Sequence, residues 1–227
     1  MSTLILALFA MAGTAHAAGP TPDRPSRGYA GTLVSAGSIE VESGWLWRDD
    51  VHSVPTLAKY STGAWEPRVG LDLGGFGGGA PGLSIGSKLR LAQDDGLALS
   101  LLLESALPIG AAEVWSAKAW LLMDATLGDH LGLNLNTGID LVEGPDIYGV
   151  PVIVGVSAPL TGGFSLFGEL STEVVRFQTL QDWMVCGGAQ WAVTSIVVLD
   201  GGLGYELDQD VLWLTLGLTV NLGNPGG

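Results

Sequence analysis

The sequence is poor in the residues that most often build chemical sites. Its one cysteine, Cys186, can form neither an internal disulfide nor a cysteine-based zinc site. Charged residues make up only 14%, against about a quarter in a typical soluble domain. Lys and Arg number 9 against 23 Asp and Glu, which gives a formal net charge of -14. A nucleic-acid partner is therefore excluded, because binding to a phosphate backbone needs a basic surface.

Long hydrophobic runs are also missing. A transmembrane helix needs about 18 or more apolar residues in a row, and the chain has no such stretch. The short apolar stretch 4–12 is followed by Ala15-His16-Ala17, a pattern typical of signal-peptide cleavage, so we interpret residues 1–17 as a signal peptide. Residues 18–37 contain several prolines and small polar residues and are predicted to form a flexible periplasmic lead-in.

From Ser38 onward, apolar and polar residues alternate with a period of two. In the last segment, for example, Leu212, Leu214 and Leu216 share one face. Successive side chains of a strand point to opposite faces, so each such segment is predicted to be a strand with one apolar and one polar face. The predicted strands are 38–48, 55–61, 65–74, 82–92, 97–108, 114–127, 131–141, 148–158, 164–175, 183–193, 196–206 and 212–222.

These strands favour a membrane barrel. Several are about ten residues long, the length that a tilted strand needs to cross a bilayer. Their connections tend to alternate between short turns and longer loops, which is typical of outer-membrane barrels with an even strand number. We therefore predict an all-β, antiparallel, up-and-down transmembrane β-barrel of about 12 strands over residues 38–223, followed by a tail of residues 224–227. Its expected location is the bacterial outer membrane, with outer-membrane lipid and the assembly machinery as partners.

The aromatic residues agree with this prediction, because membrane barrels carry aromatic girdles at both interfaces. One girdle is predicted to contain Trp47, Trp115, Tyr148, Trp183 and Trp213, and the other Tyr60, Trp65 and Trp191.

Four stretches carry a resemblance to a known family: Ile-Glu-Val-Glu-Ser-Gly-Trp at 39–45, Leu-Ser-Ile-Gly-Ser-Lys-Leu at 83–89, residues 103–110, and Gly-Phe-Ser-Leu-Phe-Gly-Glu-Leu at 163–170. They resemble the outer-membrane transporters of the MetA pathway of phenol degradation. The resemblance implies an outer-membrane barrel with a transport role, and it names no catalytic residues.

Catalysis is not expected. His16 leaves with the signal peptide, His52 is predicted in a loop and His130 in a tight turn, whereas a barrel phospholipase needs Ser and His together on one strand face. We expect no metal site and no cofactor, and we interpret Cys186 as a small buried residue. The protein is therefore predicted not to be an enzyme.

The polar face of the strands is the candidate functional surface. Its basic residues gather on the third, fourth and sixth predicted strands, and its acidic residues on the first, ninth and eleventh, so two opposite arcs of charge are expected. The charged residues predicted to line the lumen are Glu40, Glu42, Arg68, Asp72, Lys88, Arg90, Glu104, Lys118, Asp124, Asp140, Glu169, Glu173 and Asp200.

Counting outward from the turns predicts the register of three strands. It places Glu104 opposite Lys118, Lys118 opposite Asp140, and Asp124 opposite Asn134. Lys118 is thus expected between two carboxylates, as a charged constriction or as a structural plug.

Three functions remain open. The first is a channel for small, hydrophobic or aromatic solutes. The second is a plugged barrel with a structural or surface-interaction role, since a barrel of about 12 strands lies between filled and open sizes. The third is a soluble lipocalin-like barrel, in which the apolar face would point inward.

Overall fold

The computed structural model describes residues 20–23, 25–74, 81–109, 115–128, 130–142, 148–175 and 179–223. The predicted signal peptide lies outside these residues. The regular elements in the described part of the chain are all strands. They are β1 (Ile39–Arg48), β2 (Val51–Ser53), β3 (Pro55–Tyr60), β4 (Trp65–Asp72), β5 (Gly82–Gln93), β6 (Leu97–Pro108), β7 (Ser116–Leu127), β8 (Leu131–Val142), β9 (Tyr148–Pro159), β10 (Phe164–Val175), β11 (Thr179–Ala192), β12 (Val197–Glu206) and β13 (Val211–Asn221). Within these ranges, no helix is long and apolar enough to span a membrane.

The strands close into an antiparallel barrel. Each pairs with its neighbour in sequence, and β13 returns to pair with β1 from Asn221 opposite Glu40 to Trp213 opposite Arg48. The segments β2 and β3 are separated only at Val54 and both pair with β1, so they share one position in the wall. The 13 segments therefore form a closed barrel of 12 strands, as predicted.

The predicted strand boundaries are close to the observed ones. The largest difference is at β11, which begins at Thr179 instead of Trp183. The reason is a β-bulge in β11, where Asp182 and Trp183 lie opposite the single residue Thr172 of β10, and beyond which the pairing with β10 continues. Most of the loop predicted at 176–182 is therefore strand.

The two ends of the barrel differ. Short turns join the strands at the end where β1 begins and β13 ends, which we name the turn end. The opposite end, where β1 ends and β13 begins, is named the loop end.

The apolar face of the strands points outward, away from the lumen. In β13, Leu216 is 61% exposed, whereas Thr215 and Thr219 on the opposite face of the strand are buried inside the barrel. Exposed leucine, isoleucine and valine side chains occur on most of the strands, while buried charged side chains line the interior. The lipocalin-like alternative requires the reverse arrangement and is therefore wrong.

Two sequence-based positions are corrected. His52 lies in β2 and not in a loop, and its Nδ1 accepts a hydrogen bond of 3.2 Å from the outward-facing Trp45. Trp213 is buried inside the barrel and does not belong to a girdle, because the alternation that turns Leu212 and Leu214 outward turns Trp213 inward. At the turn end the prediction agrees with the structure, since Tyr60, Trp65 and Trp191 are exposed on the outer surface.

Close approach of two strands makes Gly138 necessary. A Cβ atom at this lumen-facing position would fall well inside van der Waals distance of the backbone of Ala119 and Trp120 on β7. We predict that Gly138→Ala lowers the free energy of unfolding by about 1–3 kcal/mol, because rigid backbone must shift. Denaturant titration of the folded barrel measures this loss.

Gly155→Ala is the matched control on the next strand. A Cβ there would meet Asn134 Cβ at 3.5 Å, an ordinary contact. Equal losses in the two variants would contradict this account of the β7–β8 contact.

Candidate functional site

Part of the N-terminal chain lies inside the barrel. Residues 20–36, which we name the inner segment, form hydrogen bonds with lumen-facing side chains of most strands, and Leu33 and Val34 are buried there. Arg24 is outside the described residues. The sequence predicted a flexible lead-in at 18–37, but the described residues of this stretch are held against the lumenal wall.

Backbone N–H groups of the inner segment bind side-chain oxygens of the wall. The wall acceptors are mainly carboxylates. The bonds run from Thr21 N to Glu40 (2.9 Å), Asp23 N to Glu42 (3.0 Å), Arg27 N and Gly28 N to Glu169 (3.1 and 3.0 Å), Tyr29 N to Asn136 (2.6 Å), Thr32 N to Asp124 (3.0 Å) and Val34 N to Glu66 (2.8 Å). Hydrogen bonds to charged groups contribute about 1.5–3 kcal/mol each, so these bonds anchor the segment along its whole length.

Backbone carbonyl groups of the same segment accept hydrogen bonds from lysine, serine and asparagine side chains of the wall. These run from Lys59 Nζ to Thr21 O (2.9 Å), Lys88 Nζ to Ala30 O (2.8 Å), Ser100 Oγ to Gly31 O (2.8 Å), and Asn134 and Asn136 Nδ2 to Tyr29 O (2.9 and 3.1 Å). The wall thus satisfies both the donors and the acceptors of the peptide backbone.

Asp23 is the main side-chain anchor. Its carboxylate bonds to Arg68 and lies 3.5 Å from Lys59 Nζ and 3.3 Å from Lys88 Nζ. All four side chains are almost completely buried. Burial alone raises the pKa of Asp23, but Lys59, Lys88 and Arg68 together outweigh it and hold the pKa well below its usual range.

Two of the three cations, Lys59 and Lys88, have wall partners of their own. Lys59 pairs with Glu40 at 2.7 Å and with Glu42, and Lys88 lies 3.8 Å from Glu66. The wall cluster therefore contains three cations and three carboxylates and is neutral before Asp23 is counted. Because burial of an unpaired charge is costly, this balance allows so many ionic groups inside the barrel.

Tyr29 is the second side-chain anchor. Its hydroxyl accepts a 2.9 Å hydrogen bond from Lys118 Nζ, and its ring meets the Trp120 ring edge-on at 5.5 Å between centroids. It packs against the buried cluster of Leu102, Trp120, Leu122 and Ile153. Polar and apolar contacts thus converge on one aromatic side chain.

The predicted register of β6, β7 and β8 is confirmed. Lys118 is opposite both Glu104 and Asp140, and Asp124 is opposite Asn134. Lys118 Nζ lies 3.3 Å from Glu104, as expected. Asp140, however, accepts a 2.5 Å bond from Trp120 Nε1, and the second close polar partner of Lys118 is Tyr29.

Most other residues predicted for the lumen face it. Asp200 is buried, Asp72 lines a cavity, and Glu173 pairs with Arg27 at 3.3 Å. Arg90 is the exception, since it is exposed beside a β-bulge close to the end of β5. Cys186 is buried, as predicted, with its Sγ 3.7 Å from Glu169.

The two predicted arcs of charge are not separated. Glu40 and Glu42 on β1 stand beside the basic residues, because β1 pairs with β3 and β3 pairs with β4. The sequence interpretation missed Lys59 and Glu66 as wall charges and Asp23 and Tyr29 as lumenal residues. The alternation around Lys59, between Ala58 and outward-facing Tyr60, was the signal that could have found it.

The inner segment separates two cavities. The larger, of about 740 Å³, faces the loop end and is lined by Asp72, Glu104 and Trp213 among others. The smaller, of about 260 Å³, faces the turn end and is lined by Thr126 and Ser157 among others. Residues of the inner segment between positions 23 and 29 line both cavities, so they form the partition.

Comparison with known proteins identifies the fold. No protein-family model and no curated protein matches the sequence. Among solved structures, the KdgM porin has a TM-score of 0.65 at 9% identity over 80% of this chain and 98% of its own. The NanC porin has a TM-score of 0.63 at 7% identity, over 80% and 98%. The COG4313 outer membrane channel from Pseudomonas putida F1 has a TM-score of 0.64 at 14% identity, over 84% and 97%. At these identities the likeness establishes an outer-membrane-type barrel fold, and the resemblance to the MetA transporters stays a prediction.

We predict that acid loosens the inner segment. Because the pKa of folded Asp23 is depressed, the stability it contributes is complete above the usual carboxyl range, about pH 4, and is lost as pH falls below it. Asp23→Asn should reproduce this loosening at neutral pH. Hydrogen exchange of residues 20–36, corrected for intrinsic rates, should then rise about ten- to a hundred-fold.

Ser26→Ala is the control, because Ser26 Oγ bonds within the segment, to Gly28 O. It should leave exchange unchanged. Equal protection in the native chain and in Asp23→Asn at neutral pH would show that Asp23 does not anchor the segment.

Proposed function

We propose that this protein is an exported bacterial outer-membrane channel for small solutes, and that the inner segment closes its lumen. The observation that carries the proposal is the position of Asp23 and residues 25–29 between the two cavities. An outward apolar face suits lipid, and the porins with the same fold support a transport role. No catalytic role is proposed.

The way the segment is held is compatible with release. Its contacts are mostly hydrogen bonds and ion pairs, and water can replace such partners when the segment moves. It joins the barrel at the turn end, where Gly37 N donates to Ser61 O at 2.7 Å. If the inner segment moved about this point, the two cavities would join into one lumen.

The walls of the larger cavity suggest a class of solute. Leu46, Met184 and Trp213 form an apolar patch on one side, and Asp72 and Glu104 stand among its polar lining residues. Small solutes with a hydrophobic or aromatic part would fit this arrangement, in line with the resemblance to the MetA transporters.

A permanently plugged structural barrel is the second candidate. It is favoured by the number of wall groups that bind the inner segment, which come from strands all around the barrel. The two candidates differ in whether the segment leaves its site under working conditions.

Planar-bilayer conductance of the full-length mature chain separates them. The native channel should conduct in rare openings at neutral pH, and Asp23→Asn should raise their frequency about tenfold or more. Ser26→Ala should behave like the native chain. If all three fold, as heat-modifiable migration on a gel reports, yet none conducts at any voltage, the plug is permanent and the channel proposal is wrong.

Membrane insertion gives a further prediction. Leu216 lies on the outer face near the middle of β13, so Leu216→Arg should cost about 2–4 kcal/mol of barrel stability in lipid. Thr215→Arg should cost much less, because Thr215 lines the larger cavity. Unfolding titrations in lipid vesicles measure both, and equal costs would be inconsistent with lipid contact at Leu216.

A further inference from the structure

We infer that the lumenal wall is a binding site for short peptides in a bent, irregular conformation, and that the inner segment occupies it as an intramolecular ligand. The inference extends the proposed function by naming a substrate class. It rests on the kind of atoms that the wall binds.

Those atoms belong to the backbone. Seven N–H groups of the inner segment donate to wall side chains, and carbonyl groups of Thr21, Tyr29, Ala30 and Gly31 accept from wall side chains. Every non-proline residue of a peptide carries these same two groups. A wall that pairs with both is suited to any peptide that can adopt the same bent path, and not only to its own N-terminal chain.

Two subsites add side-chain selectivity. The first consists of Lys59, Arg68 and Lys88, which surround one carboxylate. When Asp23 leaves, buried Arg68 loses its bonded partner, and its Nε and Nη1 have none among the described residues even now. An acidic side chain of an incoming peptide would restore the pairing.

The second subsite accepts an aromatic ring six residues further along the peptide. Lys118 Nζ lies 5.0 Å from the Tyr29 ring centroid, and the Trp120 ring packs edge-on against it. A cation near an aromatic ring is attracted to the negative potential of the ring face. This subsite therefore favours tyrosine, whose hydroxyl also pairs with Lys118.

Two positions disfavour side chains. A Cβ on Gly28 would meet oxygens of Asn136 and Glu169 at 2.9 Å, and one on Gly31 would meet Asp124 N at 2.8 Å. At Gly28 the oxygens that accept the segment's N–H groups would have to move away, and at Gly31 rigid backbone would have to shift. The preferred ligand is consequently a peptide with an acidic residue, a Gly-aromatic pair five and six residues later, and a second glycine two residues beyond the aromatic.

The decisive experiment uses the full-length chain carrying Gly28→Val. The added side chain would push away the Asn136 and Glu169 oxygens that accept N–H groups of the segment, so the inner segment is expected to leave its site while every wall residue stays native. Faster hydrogen exchange of residues 20–36 than in the native chain verifies that the inner segment has left its site. Binding of a fluorescein-labelled synthetic peptide with the sequence of residues 20–36 is then followed by fluorescence anisotropy.

We expect this peptide to bind the Gly28→Val chain at least about tenfold more tightly than it binds the native chain, whose own segment competes. The peptide with the Asp23→Asn change should bind about tenfold more weakly than the unchanged peptide. The peptide with the Gly28→Val change and a scrambled peptide should not bind.

Equal binding of the native-sequence and scrambled peptides to the vacated barrel would overturn the inference. If exchange stays low in Gly28→Val, the double variant Gly28→Val with Asp23→Asn vacates the site, and the same comparison decides. If the peptide binds but no variant conducts, the peptide site is supported and the channel proposal is wrong. If the variants conduct but the peptide does not bind, the channel proposal is supported and the peptide site is wrong.

Discussion

The pairing of Asp23 with Lys59, Arg68 and Lys88 is the interaction on which the rest of the interior depends. A strand that faces lipid with one side must direct its charged side chains to the other, and inside the barrel each charge needs a partner. Neighbouring carboxylates pair with Lys59 and Lys88, and Asp23 pairs with all three cations and so joins this cluster to the N-terminal chain. The position of the segment, the division of the lumen and the selectivity of the wall all follow from this one buried network.

The barrel itself could be predicted from the sequence. A period of two fixes which side chains share a face, and short turns fix the register, so the pairing of Glu104 with Lys118 follows from counting. Where the rule was applied inconsistently, the prediction was wrong: Trp213 lies between Leu212 and Leu214, and the same alternation directs it into the lumen.

The content of the lumen could not be predicted in the same way. Residues 20–36 have no periodicity, and their order comes from partners such as Glu169, which is 141 positions away from Gly28. A proline-rich stretch without regular structure is ordinarily flexible, and here tertiary hydrogen bonds override that tendency. Asp140 shows that register alone does not predict side-chain partners. The register placed it correctly opposite Lys118, yet its carboxylate accepts a hydrogen bond from the indole of Trp120.

The inner segment also has a consequence for the kinetics of folding. It binds groups on β1 and β4 on one side and on β7, β8 and β10 on the other, so its full site exists only after the sheet has closed. Contacts between residues far apart in sequence form late, because the entropy of loop closure must be overcome first. Closure of the wall and docking of the segment are therefore separate steps. Before the segment docks, wall groups such as Glu169 have water in place of their backbone partners.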